Sequence, residues 1–180
     1  MSRPRDLRRR DELLTAVIDT CAERGLGKRS LRDIADEIGT SHRMLIHHFG
    51  SRDELMVAVV QAVEARQGEV AATLSGPPAA RMKEMWDHLS DPSLRPLERL
   101  FFESYARGAN GETPFDQLLP GAVDVWLRPG PGGQADVDPA LTRLALAVVR
   151  GLLLDLVATG ARAETTAALR RFIELLPRSA

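Results

Sequence analysis

A chain of 180 residues, 44% hydrophobic and 27% charged, carries enough apolar side chain for a folded core; this excludes disorder as the default and suits one domain or two small ones. A net charge of −1 excludes a molecule-wide field that attracts nucleic acid, and a single cysteine excludes an internal disulfide framework and fits a reducing, cytoplasmic compartment. The charged start MSRPRDLRRR has no apolar core behind it, so no signal peptide is expected, and the most apolar run, Leu144–Ala158, is broken by Arg150 and Asp155 and is too short for a membrane span.

No strand-like alternation is present, so the predicted elements are all helices, about nine of them. The first covers about 7–24, with Leu14, Val17, Ile18 and Cys21 inward. The most informative stretch follows, SLRDIADEIGTSHRMLIHHFGSRDEL from Ser30 to Leu55. Ser30 and Asp33 form an S-x-x-D start signal, in which the hydroxyl caps the helix and the carboxylate reaches back. Leu31, Ile34, Ala35 and Ile38 share one face at helical spacing, and Gly39 comes where a left-handed terminus would strain any residue with a Cβ. Thr40 or Ser41 caps a second short helix with Leu45 and Phe49 inward, and Ala35 is small enough for the two helices to cross closely. Such a corner is a helix-turn-helix, which sets its second helix in the DNA major groove.

Opposite Leu45 and Phe49, at about 100° per residue, lie Arg43, Met44 and His47, while His42 projects from the first turn, where a recognition helix meets base edges. Arg43 has the fork that bonds guanine O6 and N7 together, Met44 suits a thymine methyl, and His42 and His47 suit a base edge or a phosphate. Ser30, Ser41, His48 and Arg52 stand near helix starts or flanks, where side chains and unbonded N–H groups suit phosphates. The plain reading of His47 and His48 is one surface residue beside one partly buried residue. No metal site is expected, because these neighbours point in different directions and Cys21 lies on an apolar helix face. The basic run Arg3–Arg10 has two readings, an arm reaching the adjacent minor groove or a solvated tail. Residues 1–50 hold ten Lys/Arg against eight Asp/Glu, and the remainder fourteen against seventeen, a small positive bias toward the amino end. Arginine outnumbers lysine 22 to 2, but with abundant Ala, Gly and Pro this points to a GC-rich genome rather than to phosphate recognition.

Over about residues 8–60 the chain resembles the TetR family of bacterial transcriptional regulators. The resemblance rests on the first helix ending in Glu23-Arg24-Gly25, on Leu31…Ile34-Ala35…Gly39, on Ser41…Leu45…His48-Phe49, and on Ser51-Arg52-Asp53-Glu54-Leu55 opening a long fourth helix. Ser51 with Glu54 is itself a capping box. The resemblance implies base reading by His42, Arg43 and Met44, and backbone contacts by His47, His48 and Arg52. Where the family usually has a phosphate-contacting tyrosine this chain has Ile46, which has no hydrogen to donate, so the contact is lost or passes to a neighbour such as His47. Arg43 replaces a glycine found in many relatives, which changes the groove-facing surface.

Beyond the corner, helices are predicted over about 52–74, 79–89, and 93–107 capped by Ser93. An element over 114–127 is interrupted at Pro120-Gly121, 128–137 is the longest loop, and two helices follow over 138–159 and 163–176. The helix over 138–159 is apolar nearly all round, more than a chain this small can cover, so one face is expected to pair with a second copy. Leu144, Val148, Leu152 and Leu156, with Leu169, Phe172, Ile173 and Leu176 of the last helix, are the expected four-helix dimer interface, an arrangement the resemblance also implies. Two copies then present two recognition helices to a pseudo-palindrome.

Met82, Met85, Trp86 and Leu89, with Phe101, Phe102, Tyr105 and Trp126, either line a pocket for an apolar small-molecule effector or are simply core. No glycine-rich phosphate loop, nucleophile elbow or spaced metal-ligand set is present, so neither an enzyme nor a cofactor is expected. The expected organisation is a helix-turn-helix DNA-binding domain over 1–52 and a helical effector-binding and dimerisation domain over 53–180. The expected function is a regulator, a repressor by resemblance, that binds double-stranded operator DNA as a homodimer and is released by an effector. The alternative is a dimeric DNA-binding protein without one.

Overall fold

The computed structural model describes residues 4–24, 29–120 and 138–176. Among these residues there are no strands, and the helices are α1 (Pro4–Arg24), α2 (Leu31–Glu37), α3 (His42–Phe49), α4 (Arg52–Thr73), α5 (Pro78–Leu89), α6 (Arg95–Ala109), α7 (Pro139–Thr159) and α8 (Arg162–Leu175). Short 3₁₀ turns occupy Pro92–Leu94 and Phe115–Leu118. Of the element predicted over 114–127 only this second turn is seen; residues 121–127 and the predicted loop over 128–137 lie outside the described residues. No helix among the described residues is long and apolar enough to cross a membrane.

The chain divides into two compact units, Met1–Ala65 with Pro96–Pro120, and Arg66–Arg95 with Gly121–Ala180. The first extends past residue 52, where the sequence suggested a boundary, and takes in the first part of α4 and nearly all of α6. Its core begins with Leu13, Val17, Ile18 and Cys21 of α1. Leu13 replaces the expected Leu14, because positions 13, 17 and 21 stack four apart and leave Leu14 half-buried at the edge of the stripe. Leu31, Ile34 and Ala35 of α2 and Leu45 and Phe49 of α3 continue it. From Leu55 to Val60 every residue of α4 is buried, the signature of a helix enclosed on all sides. Burying each such Leu, Met or Val contributes roughly 1.5–3 kcal/mol against the chain entropy lost.

Arg107 joins the end of α6 to the start of α4. Its guanidinium donates to both Asp53 carboxylate oxygens at 3.2 and 2.9 Å, its Nε donates to Glu112 at 2.7 Å, and it lies 3.8 Å from the centre of the Phe115 ring. The two carboxylates hold its proton even more firmly than usual for arginine. One turn of α6 passes so close to the 3₁₀ segment that a Cβ on Gly108 would stand 2.5 Å from the Phe115 carbonyl oxygen.

In the second unit, α8 packs against both α7 and α5. Trp86 is fully buried, and its Nε1–H donates to Thr166 Oγ1 at 2.9 Å, so the indole keeps its polar handle satisfied. Asp138 caps α7 by accepting from Ala140 N at 2.9 Å, and Arg95 Nη2 donates to the Leu156 and Val157 carbonyls at 3.3 Å, serving acceptors of the last turn. Leu156 and Leu169, expected to meet a second copy, are instead buried in the single chain, which corrects their assignment to core. Leu144 is exposed, and Val148, Leu152, Phe172, Ile173 and Leu176 are half-buried. Leu154 and Leu175, not expected at an interface, are exposed as well.

The residues suggested for an effector pocket fall in both units. Met85, Trp86 and Leu89 are buried in the second, with Met82 half-buried beside them. Phe101, Phe102 and Tyr105 are half-buried in the first, with the Phe101 ring 5.1 Å from Phe102 and 5.5 Å from Tyr105. Trp126 lies outside the described residues.

Candidate nucleic-acid interface

Helix α2 begins where Ser30 leaves the helical conformation and serves the donors of the first turn. Asp33 N donates to Ser30 Oγ at 3.3 Å, and Ser30 N donates to Asp33 Oδ2 at 2.8 Å, completing the capping box. That backbone donor, with the Ser30 hydroxyl, holds the Asp33 carboxyl below its ordinary range. At the other end Gly39 N donates to Asp36 O at 3.3 Å and Thr40 N to Ala35 O at 2.9 Å, the paired bonds of a Schellman closure. This closure needs φ of +68° at Gly39, a conformation costly for a residue with a side chain. The chain reverses there, and Ser41 caps α3 by accepting from Met44 N at 3.2 Å.

The corner fixes which way α3 faces. Leu45 and Phe49 are buried, so the opposite face must look outward. His42, Arg43, Ile46 and His47 are all exposed and form two rows four apart, 42 with 46 and 43 with 47. Met44 is half-buried at the flank, and Ser30 and Ser41 are exposed at the two helix starts. Ile46, 40% exposed, is the member that sequence reasoning passed over. Its position four after His42 was the available signal, set aside because isoleucine offers no hydrogen bond.

Two residues expected at the backbone of a duplex are occupied within the protein. Arg52 is 29% exposed in its side chain; its Nε donates to the Arg29 carbonyl at 2.8 Å and its Nη1 lies 3.0 Å from Met56 Sδ. Arg29 in turn pairs through its own guanidinium with Glu37 of α2, so Arg52 ties the start of α4 to the segment that leads into α2. His48 has a side chain only 4% exposed, against 63% for His47, and its Nδ1 stands 3.5 Å from Asp6 of α1. These contacts give Arg52 and His48 partners inside the protein. Cys21, buried on the inner face of α1, has its thiol pushed up to about 11 by burial, which disfavours the thiolate near neutral pH.

A short capped helix with an outward row of imidazole, guanidinium and branched aliphatic groups can read a groove edge by hydrogen bonding and by methyl contact at once. The family described as bacterial regulatory proteins, tetR family, matches residues 13–59, the span from α1 into α4. The HTH-type transcriptional repressor KstR2 of Mycolicibacterium smegmatis is 42% identical over 53 residues, 29% of this chain and 26% of that protein. The matched segment is thus about a quarter of the length of such curated relatives. Solved structures are alike over nearly the whole chain in fold alone. A TetR-family transcriptional regulator from Pectobacterium atrosepticum superposes with a TM-score of 0.68 at 22% identity, covering 99% of this chain and 100% of that one. The multidrug binding protein EbrR, complexed with imidazole, gives 0.60 at 24% identity over 96% of this chain and 92% of its own.

Proposed function

We propose that the chain, which matches the tetR family of bacterial regulatory proteins over residues 13–59, is a cytoplasmic transcriptional repressor. It binds a pseudo-palindromic DNA operator as a homodimer and is released by an apolar small molecule held in its helical body. The observation that carries the DNA-binding reading is the outward row on α3, held by the buried pair Leu45 and Phe49. Arg43 reads a guanine, His42 a base edge, and Met44 and Ile46 pack on thymine methyl groups. His47, Ser30 and Ser41 serve phosphates, and DNA contact is assigned to residues 1–52.

Dimerisation is assigned to the carboxy-terminal part of 53–180. Leu144, Ala147, Gly151, Leu154 and Ala158 are exposed at helical spacing along α7, where small residues let a second helix approach closely and leucines supply apolar area. For the effector, support comes from EbrR, a protein of like fold that is itself a multidrug binding protein. A second reading, a dimeric DNA-binding protein with no effector, draws on Met85, Trp86 and Leu89, which already fill the core of their unit. Selecting bound sequences from a random DNA pool, then footprinting the winner, tests the main reading: a twofold-related site is expected. Enrichment of no sequence would defeat it. Titration of small molecules against the selected site then separates the two readings of the body.

A further inference from the structure

The amino end of α1 and the carboxy end of α3 bring three metal-ligand groups together. Asp6 Oδ1 lies 3.7 Å from His47 Nε2 and 3.5 Å from His48 Nδ1, and one ligand atom from each residue lies within 4.8 Å of the others. Adjacent residues on a helix point about 100° apart, which is why the sequence suggested no such site. The fold supplies what the spacing lacks. Asp6 stands within reach of both imidazoles, and the two rings meet edge to face with centres 4.9 Å apart.

The separations are long for hydrogen bonds, whose N···O distances centre at about 2.9–3.0 Å. They resemble the edge of a coordination shell: ligands about 2.0–2.1 Å from a tetrahedral zinc ion stand roughly 3.3–3.5 Å from one another. The His47 side chain is 63% exposed and so has room to turn toward the other two groups. His48, by contrast, is held in place by burial, with Nδ1 toward Asp6 and its Nε2 meeting no hydrogen-bond partner among the described residues. Two imidazoles and one carboxylate suit borderline divalent ions, whereas calcium and magnesium take oxygen shells. Three protein ligands leave a fourth position for water or an anion.

We propose that Asp6, His47 and His48 form a binding site for a divalent transition-metal ion of the zinc class, joining the first helix to the end of the outward-facing helix α3. Because His47 is also a member of the exposed row, an ion at this site draws its ring toward α1 and away from a duplex.

Titrating the full chain with cobalt(II) and reading the visible spectrum tests the site without reference to DNA. An intense four-coordinate band saturating at one ion per chain, and displaced by zinc, is expected. Asp6→Asn keeps the shape of a half-buried residue but weakens a ligand. It should raise the dissociation constant at least about tenfold, since even partners that only orient ligands cost 10–100-fold. His88→Gln removes the one histidine outside α3 and should leave binding unchanged. A weak six-coordinate spectrum like that of cobalt in buffer, or a band that survives Asp6→Asn intact, overturns the proposal. So does a thiolate charge-transfer band, which would place the ion on Cys21.

Discussion

Arg43 and Arg52 lie near opposite ends of the same short region; Arg43 is exposed and carries the proposed base contact, whereas Arg52 donates to the Arg29 carbonyl. Replacing each by alanine therefore separates recognition from support. Arg43 is exposed, so its loss should change unfolding free energy by no more than about 0.5 kcal/mol. Its loss from a base contact should cost about 1–3 kcal/mol per half-site, or about 2–6 kcal/mol for a twofold complex. That is a weakening of operator binding between about 30-fold and about 2 × 10⁴-fold. Arg52 donates a charge-assisted hydrogen bond to the Arg29 carbonyl at 2.8 Å from a partly exposed position. After discounting for solvent, its loss should lower stability by about 1–2 kcal/mol. Trp86 lies outside the unit that holds both arginines, so urea unfolding is followed by far-ultraviolet circular dichroism rather than by tryptophan fluorescence. Operator affinity is read by fluorescence anisotropy at fixed salt. The reasoning is refuted if Arg43→Ala binds its operator like the parent, or if it destabilises the fold as much as Arg52→Ala does.

The capping box gives a pH dependence. The folded-state pKa of Asp33 is depressed below its ordinary 3.8, so its contribution is present above that value and is lost as pH falls through the lower folded value. The stability gap between parent and Asp33→Asn should therefore narrow below about pH 4, and a gap constant from pH 6 to 3 would contradict the assignment. Cys21, with its thiol pushed up to about 11, should resist labelling by a thiol reagent at pH 8 until urea opens the fold; immediate stoichiometric labelling would show the site to be open. Gly108→Ala forces a Cβ to within 2.5 Å of the Phe115 carbonyl oxygen and should cost about 1–3 kcal/mol in urea unfolding; a neutral result would mean that the 3₁₀ segment yields easily. Leu154→Glu places a charge on the exposed face of α7 and should convert a dimer to monomers in sedimentation equilibrium, whereas an unchanged mass would remove this face from the interface.

The helix-turn-helix was legible because its signals are local. Ser30 with Asp33, Gly39, and Ser41 each act on backbone groups within a few residues, and every one of those contacts is present. Periodicity also gave the outward direction of Arg43 and His47, since the inward pair Leu45 and Phe49 fixes it. Periodicity was less decisive at α1, where Leu13 and Leu14 are adjacent and differ only in which edge of the stripe they complete. What could not be read were contacts between residues far apart in sequence. The bond from Arg52 to the Arg29 carbonyl had no signal in its neighbourhood, and His48, read as the partly buried member of its pair, gave no sign that Asp6 arrives beside it from another helix. The Asp53–Arg107 bridge had no sequence signal at all. On α7, an apolar run fits both an internal core and a second copy, so Leu156 was placed on the wrong side of that division.

Ile46 has a consequence for how such a protein would respond to its surroundings. Each phosphate neutralised by a cationic contact steepens the salt dependence of DNA binding by about 0.9 in log–log slope. An aliphatic side chain on the outward row contributes nothing to that slope while still supplying shape-selective contact. Under the proposed reading, a cell whose cytosol concentrates or dilutes under osmotic stress would find occupancy of this operator comparatively steady, because part of the grip does not depend on displaced counterions.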